Sequence, residues 1–463
     1  MADAAVALAE GFRGEIVLPG DEGYDRARGV WNAAVDRRPE VIARCTGVAD
    51  VLQAVAVARE HGLPVAVRGA GHSLAGLGTG EGAMLIDLSG LTGVRVDPER
   101  RTARAQPGAT WGGFDHETQA FGLATPGAPY SAAGIAGTTL GGGSGWLSRA
   151  YGLTCDNLVE ADVVTAEGRL LTASAASHPE LFAGLRGGGG NFGVVTSFTY
   201  RLHRVGAHLL CGALYLPGER LAPTLAAVRD FMAHAPDGLT VCCEFGAPRG
   251  MPQLPAATAV RIGLCWAGRA DRGREVIAPL RALPGVLADT VQTRPYPLWQ
   301  RMQDEGRGPG AAVFGRSEFL SVLDGAAIDC LAEQVAALPS PDAHAQLAFL
   351  GGAVARVGAE DSAYTYRQAP YLLSAVGRWS TGPAEPQVAW VRRCWEAMRP
   401  FSSGGGCVNL MGLEGQGRVV EAYGLAKYER LVALKDRYDP GNLFRVNQNI
   451  RPSGRRDGPA GGA

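Results

Sequence analysis

The chain reads Val67-Arg68-Gly69-Ala70-Gly71-His72-Ser73 directly after a short apolar run, 64–67, that predicts a β-strand. Glycine has no Cβ, so the backbone of such a turn can approach a ligand closely, and its N–H groups can cradle a pyrophosphate. We therefore predict an anion-binding turn beside one nucleophilic imidazole, that of His72. For the motif taken alone, a solvated turn histidine is the alternative.

The elements that precede the turn favour the ligand-binding interpretation. Residues 41–45 predict a strand, and 49–61 predict a helix that has Asp50 near its start and Gly62 just past its end. A strand–helix–strand unit places the turn at the C-terminal end of a strand, which is where open α/β units bind ligands. We expect the turn to be part of a cofactor site.

Four further blocks follow the turn along the chain. They read GIAGTTLGGGSGW at 134–146, YGLTCDN at 151–157, RGGGGNFGVV at 186–195 and YDPGNLFRVNQNI at 438–450. Together with the histidine turn, these blocks closely resemble the FAD-linked oxidases of the berberine-bridge-enzyme and 6-hydroxynicotine-oxidase type, within the vanillyl-alcohol-oxidase superfamily. The resemblance extends over nearly the whole chain, from Trp31-Asn32 to Ile450.

The pattern of predicted elements changes near residue 206. Strand-like runs at 209–216, 240–245 and 259–266 are separated by helix-like runs such as 221–234 and 326–337. This alternation predicts an antiparallel sheet covered by helices, whereas the residues before it read as two successive α/β pieces.

The predicted fold class is α+β, and a chain of 463 residues exceeds a single core. The resemblance implies a PCMH-type FAD-binding domain of two α/β subdomains over 1–205, with the antiparallel sheet and its helices inserted as a substrate-binding domain over 206–404. A berberine-bridge-like segment, 405–450, would complete the FAD domain. The tail 451–463, rich in Gly, Pro and Arg, is expected to be disordered.

The resemblance also implies which residues hold the cofactor. His72 matches the family histidine that is joined through a ring nitrogen to the 8α-methyl of the flavin, a bond that retains the cofactor and raises its potential. Noncovalent FAD with His72 merely nearby is the alternative. The other residues expected to bind FAD are Arg68, Gly69, Ala70, Gly71, Ser73, Gly134, Gly137, Thr138, Gly141, Gly142, Gly145, Trp146, Asn157, Val195, Asn447 and Asn449.

Many relatives in this family hold the flavin through a cysteine as well, and Cys155 invites the comparison. In those relatives the cysteine precedes the triple-glycine turn, where counting back from Gly141 places Tyr130, whereas Cys155 follows the turn. We therefore predict a single covalent bond, with Tyr130 near the flavin and Cys155 as a buried structural thiol.

The run 188–193 matches G-x-G-x-x-G, but we do not interpret it as a dinucleotide fingerprint. That motif requires a strand before it and a helix after it. Here a predicted helix, 179–185, precedes the run and a strand follows. The glycines of 141–145 are expected to lie directly on the diphosphate or the flavin instead.

The candidates for catalysis carry weaker signals. Glu244, Arg316, Glu318 and Gln346 lie in strand-like segments of small or apolar residues, where a polar side chain above a flavin can act as a base or anchor a substrate. A solvated sheet face is the alternative for each. Arg316 is preferred because relatives commonly have a lysine there, and a permanently charged guanidinium would position the substrate. Asn409 falls where relatives often place a polar active-site group.

Composition excludes several classes of partner. With 44 basic and 45 acidic residues and no basic tract, the chain is not expected to bind nucleic acid or an anionic membrane. No apolar run reaches the length of a membrane span, and the first residues lack the basic segment of a secretion signal. Nine scattered cysteines without a CxxC pair predict neither a disulfide scaffold nor a zinc site. We expect a cytoplasmic protein without a metal.

The resemblance implies an FAD-dependent oxidase. It would remove a hydride from an activated C–H of a small organic substrate, and dioxygen would reoxidise the flavin to give hydrogen peroxide. The likeness of Asp36-Arg37-Arg38-Pro39 and Asn447-Gln448-Asn449 to bacterial biosynthetic members favours a secondary metabolite. The alternatives are a dual oxidase and cyclase that acts on polyketide-like substrates through an oxygenated flavin, an oxygen-insensitive dehydrogenase, and a flavin-binding subunit without catalysis. Substrate identity and oligomeric state stay open.

Overall fold

The computed structural model describes residues 2–248, 251, 253–254 and 259–454, so most of the predicted tail lies outside the described residues. Its strands are β1 Glu15–Val17, β2 Val41–Arg44, β3 Val65–Arg68, β4 Met84–Asp87, β5 Val94–Asp97, β6 Thr102–Ala105, β7 Leu123–Ala124, β8 Leu158–Val164, β9 Leu170–Ser174, β10 Val194–Arg201, β11 His203–Arg204, β12 His208–Pro217, β13 Leu239–Gly246, β14 Ala259–Trp266, β15 Ala288–Asp289, β16 Gln292–Pro295, β17 Ala312–Leu320, β18 His344–Phe349 and β19 Tyr371–Trp379. Its helices are α1 Ala2–Ala9, α2 Tyr24–Arg28, α3 Val48–Glu60, α4 Trp111–Gln119, α5 Ile135–Leu140, α6 Ser148–Tyr151, α7 Pro179–Leu185, α8 Leu221–Met232, α9 Ala270–Arg281, α10 Tyr296–Met302, α11 Gly325–Ala336, α12 Ala353–Arg356, α13 Glu385–Met398, α14 Gln416–Tyr423 and α15 Leu425–Tyr438.

A four-stranded sheet of order β1-β2-β4-β3 carries the glycine turn. Strands β2, β4 and β3 are parallel, and β1 pairs antiparallel with β2 at one edge. Helix α3 connects β2 to β3 and buries Val51 and Val55 in the same apolar cluster as Val41 and Met84. The predicted strand–helix–strand unit is confirmed, and the turn begins where β3 ends, at Arg68.

The second sheet has the order β5-β6-β10-β8-β9 and is antiparallel throughout. Strands β5 and β6 form an antiparallel pair at one edge of this sheet. Trp111, Phe114 and Tyr200 pack between this sheet and α4, and the ring of Phe114 meets both neighbours edge-on. The glycine run 188–193 joins α7 to β10, which confirms that a helix precedes it and a strand follows.

The third sheet is antiparallel, with the order β15-β12-β14-β13-β18-β19-β17, and β16 also pairs with β12. All of its strands lie between His208 and Trp379, inside the segment predicted as an insertion. Leu214, Ile262 and Leu347 belong to the core that one face forms with α8, α9, α11 and α13. The α+β class is confirmed, while the domain boundaries at 205 and 404 stay a prediction.

The C-terminal residues return to the first half of the chain. The side chain of Asn191 holds them there: Nδ2 donates to the carbonyl of Gln448 at 3.1 Å, and Oδ1 accepts from the N–H of Ile450 at 2.9 Å. The block 438–450 therefore packs beside the glycine run 188–193.

Two further observations concern the cysteines and the helices. All nine cysteines are free, and eight of them are buried. Within the described ranges, no helix has the length and apolar character needed to cross a bilayer.

A buried carboxyl group lies where α4 packs against α10. Asp115 is fully buried; its Oδ2 accepts a bond of 3.3 Å from Gln300 Nε2, and its Oδ1 has no hydrogen-bond partner. Burial raises the pKa of Asp115 to about 8, because water cannot solvate a carboxylate there. The carboxyl group is therefore protonated in the folded protein at neutral pH.

We expect the stability contributed by Asp115 to fall as the pH rises from about 4 to about 8. In this window the folded state keeps the proton and the unfolded state loses it, so the free energy of unfolding drops by about 1.4 kcal/mol per pH unit. Asp115→Asn lacks this contribution. The free energy of unfolding of the variant should therefore rise relative to that of the wild type between pH 5 and pH 8. Urea denaturation at both pH values measures the gain, with the exposed Asp230→Asn as control. Equal pH slopes for wild type and Asp115→Asn would contradict the assignment.

Candidate active site

The histidine turn is built for a close approach of backbone and imidazole. A Cβ at position 69 would lie 2.7 Å from the carbonyl oxygen of Pro107, and Gly71 has a φ of +71°, so both positions require glycine. The imidazole of His72 stacks on the indole of Trp31, with 5.5 Å between ring centroids. Its Nδ1 is buried without a hydrogen-bond partner, and burial lowers the pKa of the ring. His72 is therefore held as a neutral imidazole whose buried Nδ1 is free to react.

The histidine turn and four other chain segments contact one another in a closed circuit. We call these five segments the glycine ring. They are 69–73, 76–80, 134–141, 187–190 and 446–449, which come from distant parts of the sequence. Each is in contact with the next, so the segments close on themselves. The contacts join Ala70 to Gly134, Leu140 to Gly189, Gly190 to Asn447, Val446 to Gly80, and Gly78 to Gly71.

Unsatisfied polar atoms in the glycine ring fit the FAD that the resemblance implies. Besides His72 Nδ1, the buried oxygens Thr79 Oγ1, Asn447 Oδ1 and Asn449 Oδ1 have no hydrogen-bond partner. Buried polar atoms in folded proteins are nearly always paired, and a ligand bound here would give these four atoms their partners. At Gly137 and Gly190, a Cβ would meet nothing within 4 Å, so bare backbone faces open space. Thr79 was missed by sequence reasoning, because a lone threonine in a turn carries no signal.

Of the residues predicted to bind the cofactor, most lie on the glycine ring. These include the two asparagines of the C-terminal block. The residues on the ring are Gly69, Ala70, Gly71, His72, Ser73, Gly134, Gly137, Thr138, Gly141, Asn447 and Asn449.

Three other residues that were predicted to bind the cofactor have side chains that pair or pack with other parts of the protein. The guanidinium of Arg68 pairs with Asp87 at 2.6 Å and donates to a backbone carbonyl. The amide of Asn157 donates to two carbonyls of the 151–153 turn. Val195 lies in β10 and is buried in the core of the second sheet. For these three residues, a role in binding the cofactor stays a prediction.

The triple-glycine turn lies close to other parts of the protein. A Cβ at Gly141 would lie 2.0 Å from Asn409 Oδ1, one at Gly142 2.5 Å from the ring of Tyr364, and one at Gly145 2.2 Å from a backbone oxygen. These glycines make room for other parts of the protein, and their position directly on the diphosphate or the flavin stays a prediction. Trp146 packs similarly, 5.0 Å from Trp299, and donates to a backbone carbonyl.

Asn409 connects the C-terminal segment to the glycine ring. Its Nδ2 donates to the carbonyl of Thr138 at 3.1 Å, and its Oδ1 lies against Gly141. The predicted polar group is therefore next to the site, and its contacts in the structure are with α5 and the residue that follows it.

The third sheet presents a row of polar side chains on its open face. We call this the site face, because it is opposite the helix-covered core. Glu244 and Gln346, both predicted, are direct cross-strand partners, and their neighbours Cys243 and Leu347 point into the core. The row runs across five strands in register: Arg261, Glu244, Gln346, Ser374 and Ser317.

Sequence reasoning missed three members of this row. Arg261, Ser374 and Ser317 each lie in an apolar strand, and only strand register shows that they are aligned with Glu244. A cavity of about 60 Å³ adjoins the row at Gln346 and Cys242, between the strands and α6.

A short chain of contacts connects the site face to His72. Glu244 Oε2 accepts from Arg307 Nη2 at 3.1 Å, and the Arg307 guanidinium lies 5.7 Å from the ring centroid of Tyr130. The Tyr130 ring is 6.3 Å from that of His72, and Trp31 Nε1 donates to the carbonyl of Arg307 at 2.7 Å. Glu244 and Tyr130 thus belong to one site with His72, and Arg307 is a further residue that sequence reasoning missed.

Arg316 does not belong to this site. Its neighbour Gly315 contacts Leu74 after the histidine turn, so the side chain of Arg316 is directed away from the site face. Its Nη1 pairs with Glu414 Oε1 at 2.7 Å, and its guanidinium lies 6.0 Å from the ring of Trp395 on α13. The prediction that Arg316 contacts the substrate is wrong, because alternation along β17 directs its side chain to the helix-covered side of the sheet.

Glu318 lies on the same helix-covered side of the sheet as Arg316. It is fully buried, and its carboxylate accepts from Trp395 Nε1 at 2.8 Å and Arg418 Nη2 at 3.0 Å. Its charge is therefore used to attach the C-terminal segment to β17.

Cys155 is fully buried in an apolar cluster with Leu153, Phe319 and Tyr364. Burial raises the pKa of its thiol. It is an inert structural thiol, as predicted. Among the described residues, no group of three or more metal-ligating side chains occurs.

Comparisons with known proteins match two parts of the chain to families. The family described as FAD binding domain matches residues 39–174, and the family described as berberine and berberine like matches 408–451. (R)-6-hydroxynicotine oxidase of Paenarthrobacter nicotinovorans is 29% identical over 461 residues, 96% of this chain and 98% of that protein. An uncharacterized FAD-linked oxidoreductase of Bacillus subtilis, YgaK, is 29% identical over 447 residues, 95% of this chain and 97% of that protein.

Solved structures agree with these matches. The crystal structure of 6-hydroxy-D-nicotine oxidase from Arthrobacter nicotinovorans superposes with a TM-score of 0.86 at 27% identity, covering 96% of this chain and 99% of that one. A chitooligosaccharide oxidase has the same fold, with a TM-score of 0.85 at 22% identity over 97% of this chain and 99% of that one. The predicted fold type is confirmed. Relatives also come from Dictyostelium discoideum and Aspergillus terreus, so a bacterial branch is not singled out.

Proposed function

Because the chain belongs to the FAD-linked oxidoreductases with a berberine-like C-terminal segment, we propose that it is an oxidase that carries FAD on His72. It oxidises a small organic substrate and passes the electrons to dioxygen, with hydrogen peroxide as product. The observation that carries this proposal is the unpartnered, buried Nδ1 of His72 inside the glycine ring, opposite a sheet face that presents Glu244.

The residues of the glycine ring would hold the cofactor. His72 Nδ1 would bond to the 8α carbon of the flavin, because a neutral imidazole is the nucleophilic form and this nitrogen has no other partner. The stack on Trp31 fixes the plane of the imidazole. The free oxygens of Thr79, Asn447 and Asn449 would accept hydrogen bonds from the cofactor. When bound, the flavin supplies the hydride acceptor.

Residues of the site face would accept the proton that the substrate loses. Glu244 is the carboxylate that β13 directs onto this face, and we assign it as the base that accepts the proton of the substrate O–H or N–H. Arg307 positions this carboxylate through the bond at 3.1 Å. Burial raises the pKa of Tyr130, so its phenol stays protonated and would donate a hydrogen bond.

The range of substrates in similar proteins guides the choice of candidates. The names of the similar proteins include a hydroxynicotine oxidase and a chitooligosaccharide oxidase, so one fold serves chemically unlike substrates. For this chain we propose a secondary metabolite and a cytoplasmic location, which rest on the sequence resemblance and on composition.

The test begins with the visible spectrum of the purified protein. We expect a flavin spectrum that candidate substrates bleach in the absence of oxygen and that air restores. Oxygen uptake with one peroxide per substrate oxidised supports the oxidase. Turnover without oxygen uptake indicates a dehydrogenase, and a cyclised product with less peroxide than oxygen consumed indicates the dual oxidase and cyclase. A flavin that no candidate bleaches indicates a subunit without catalysis.

Replacing His72 with alanine should leave FAD bound only noncovalently, because the imidazole whose buried Nδ1 is unpartnered is removed. After acid precipitation, the wild-type pellet should be yellow and the His72→Ala pellet colourless. Cys155→Ala is the matched control, and it should keep its flavin in the pellet because the Cys155 thiol is buried in an apolar cluster. A flavin mass on the Cys155 peptide, or a yellow His72→Ala pellet, would refute the assignment of a single bond to His72.

A further inference from the structure

Residues 31–34 lie against the histidine turn and are hydrogen-bonded to it at two points. The backbone N–H of Trp31 donates to the carbonyl of Gly71 at 3.1 Å. Asn32 Nδ2 donates to the carbonyl of Leu74 at 2.8 Å. These two carbonyls flank the histidine in the sequence, so a shift of the turn would break both bonds.

The same segment is bonded to the part of the chain that carries the third sheet. Near the start of β17, the carbonyl of Val313 accepts from Asn32 Nδ2 at 2.9 Å, and its N–H donates to Asn32 Oδ1 at 2.9 Å. The N–H of Ala33 donates to the carbonyl of Ala311 at 3.1 Å. Asn32 is buried, and its Oδ1 also accepts the N–H of Ala34 at 3.1 Å, so the side chain uses both of its donors and both of its acceptor positions. The segment therefore joins the histidine turn to β17.

Trp31 extends this connection to the imidazole of His72. The indole N–H donates to the carbonyl of Arg307 at 2.7 Å, in the loop between α10 and β17. The Trp31 ring stacks on the imidazole, with 5.5 Å between centroids and 22° between the ring planes. The plane of the imidazole, whose Nδ1 is buried without a partner, thus depends on a loop that belongs to the third-sheet part of the chain.

Attachment of a flavin to His72 requires this imidazole to point in one direction. The reaction forms the bond between Nδ1 and the 8α carbon. It breaks one C–H bond of the 8α-methyl and the N–H bond of the other ring nitrogen, and two protons and two electrons pass to dioxygen as hydrogen peroxide. Reacting atoms must approach to about 3–3.5 Å in line with the new bond, and a displacement of about 1 Å can slow such a step about a hundredfold.

We propose that Trp31 is a positioning residue for the covalent attachment of the flavin, held in place by the carbonyl of Arg307 and acting on His72 through the ring stack. The third-sheet part of the chain then contributes to cofactor attachment as well as to the substrate site. This inference rests on the proposed bond between His72 and the flavin.

Two substitutions of Trp31 test the proposal. Full-length protein from riboflavin-starved cells is mixed with saturating FAD in air, and the flavin in the acid-precipitated pellet is followed with time. Trp31→Leu removes both the ring stack and the indole N–H, so attachment should be about a hundredfold slower than in the wild type. Trp31→Phe keeps an aromatic ring and lacks the N–H, so it should be slower by about twofold to tenfold, the effect of one hydrogen bond.

Trp266→Phe is the matched control. Its indole N–H donates to the carbonyl of Arg269 at 2.9 Å, on the helix-covered side of the third sheet. The variant loses the same kind of bond away from the histidine turn, so its attachment rate should equal that of the wild type. A merely structural role of Trp31 would lower the melting temperature and the affinity for FAD, and it would leave the attachment rate at saturating FAD unchanged.

Equal attachment rates for the wild type and Trp31→Leu would overturn the proposal. If Trp31→Leu does not fold, Trp31→Phe decides: a rate below that of Trp266→Phe supports the proposal, and an equal rate overturns it. A colourless wild-type pellet would overturn the bond to His72 and this inference with it, whereas a yellow wild-type pellet with unchanged rates in both Trp31 variants would overturn this inference alone.

Discussion

Glu244→Gln should lower kcat/KM by about a hundredfold to ten-thousandfold, the range expected when a general base is removed. Glutamine keeps the size of the side chain and a carbonyl oxygen toward Arg307, so the site face should stay folded and the flavin content should match the wild type. The loss should appear in kcat more than in KM, because proton removal belongs to the chemical step.

Steady-state oxygen uptake over a range of pH, with flavin content measured alongside, checks the expectation. Glu385→Gln is the matched control, because Glu385 lies exposed at the start of α13 on the far side of the sheet. It makes the same change in charge without reaching the site face, so its kcat/KM should equal that of the wild type. If Glu244→Gln retains full kcat/KM at full flavin loading, the base lies elsewhere and Glu244 serves only to hold Arg307.

The contrast between Glu244 and Arg316 shows what the sequence alone can decide. Both residues were identified as polar side chains in apolar strands, which is a local feature of the sequence. Their directions depend on alternation relative to a core that the sequence does not locate, and a shift of one residue moves a side chain to the other face. Glu244 lies on the site face and Arg316 on the helix side, where Glu414 pairs with it.

The glycine turns also show what the sequence leaves undecided. Glycine marks positions where something approaches the backbone closely, and the sequence identified these positions correctly. It does not say what approaches. At Gly137 and Gly190 the backbone faces open space, whereas at Gly141 and Gly142 the approaching groups are the side chains of Asn409 and Tyr364. Arg307 was not predicted from the sequence, because it lies in a loop without a recognisable pattern. Only the fold brings it next to Glu244 and Tyr130.

The long-range attachment of the C-terminal block was predicted only through the resemblance, and its physical basis is a buried ion pair. Lys435 and Asp439 are both fully buried, and Nζ donates to Asp439 Oδ2 at 2.6 Å. The same Nζ donates to the carbonyls of Asn191 and Phe444 at 2.8 and 2.9 Å. Asp439 also accepts the backbone N–H groups of Leu443 and Phe444, so it shapes the turn that leads to Asn447.

Lys435→Met should therefore destabilise the protein by about 3–5 kcal/mol, the cost of leaving the Asp439 charge buried without its partner. Because Lys435 joins the C-terminal block to the glycine run at Asn191, the variant should also bind FAD more weakly when the histidine bond is absent. Urea denaturation of Lys435→Met measures the first effect, and FAD titration of His72→Ala with and without Lys435→Met measures the second.

The control for this prediction lies two residues along the same helix. Arg437 pairs with Glu180 at the surface, and its side chain is 60% exposed, so Arg437→Met should change the free energy of unfolding by under about 1 kcal/mol. A second variant, Lys435→Met with Asp439→Leu, removes both charges and should recover part of the lost stability, since apolar replacements of a buried pair are often tolerated. If Lys435→Met costs no more than Arg437→Met, the ion pair does not hold the C-terminal block, and its attachment depends on the hydrogen bonds of Asn191 instead.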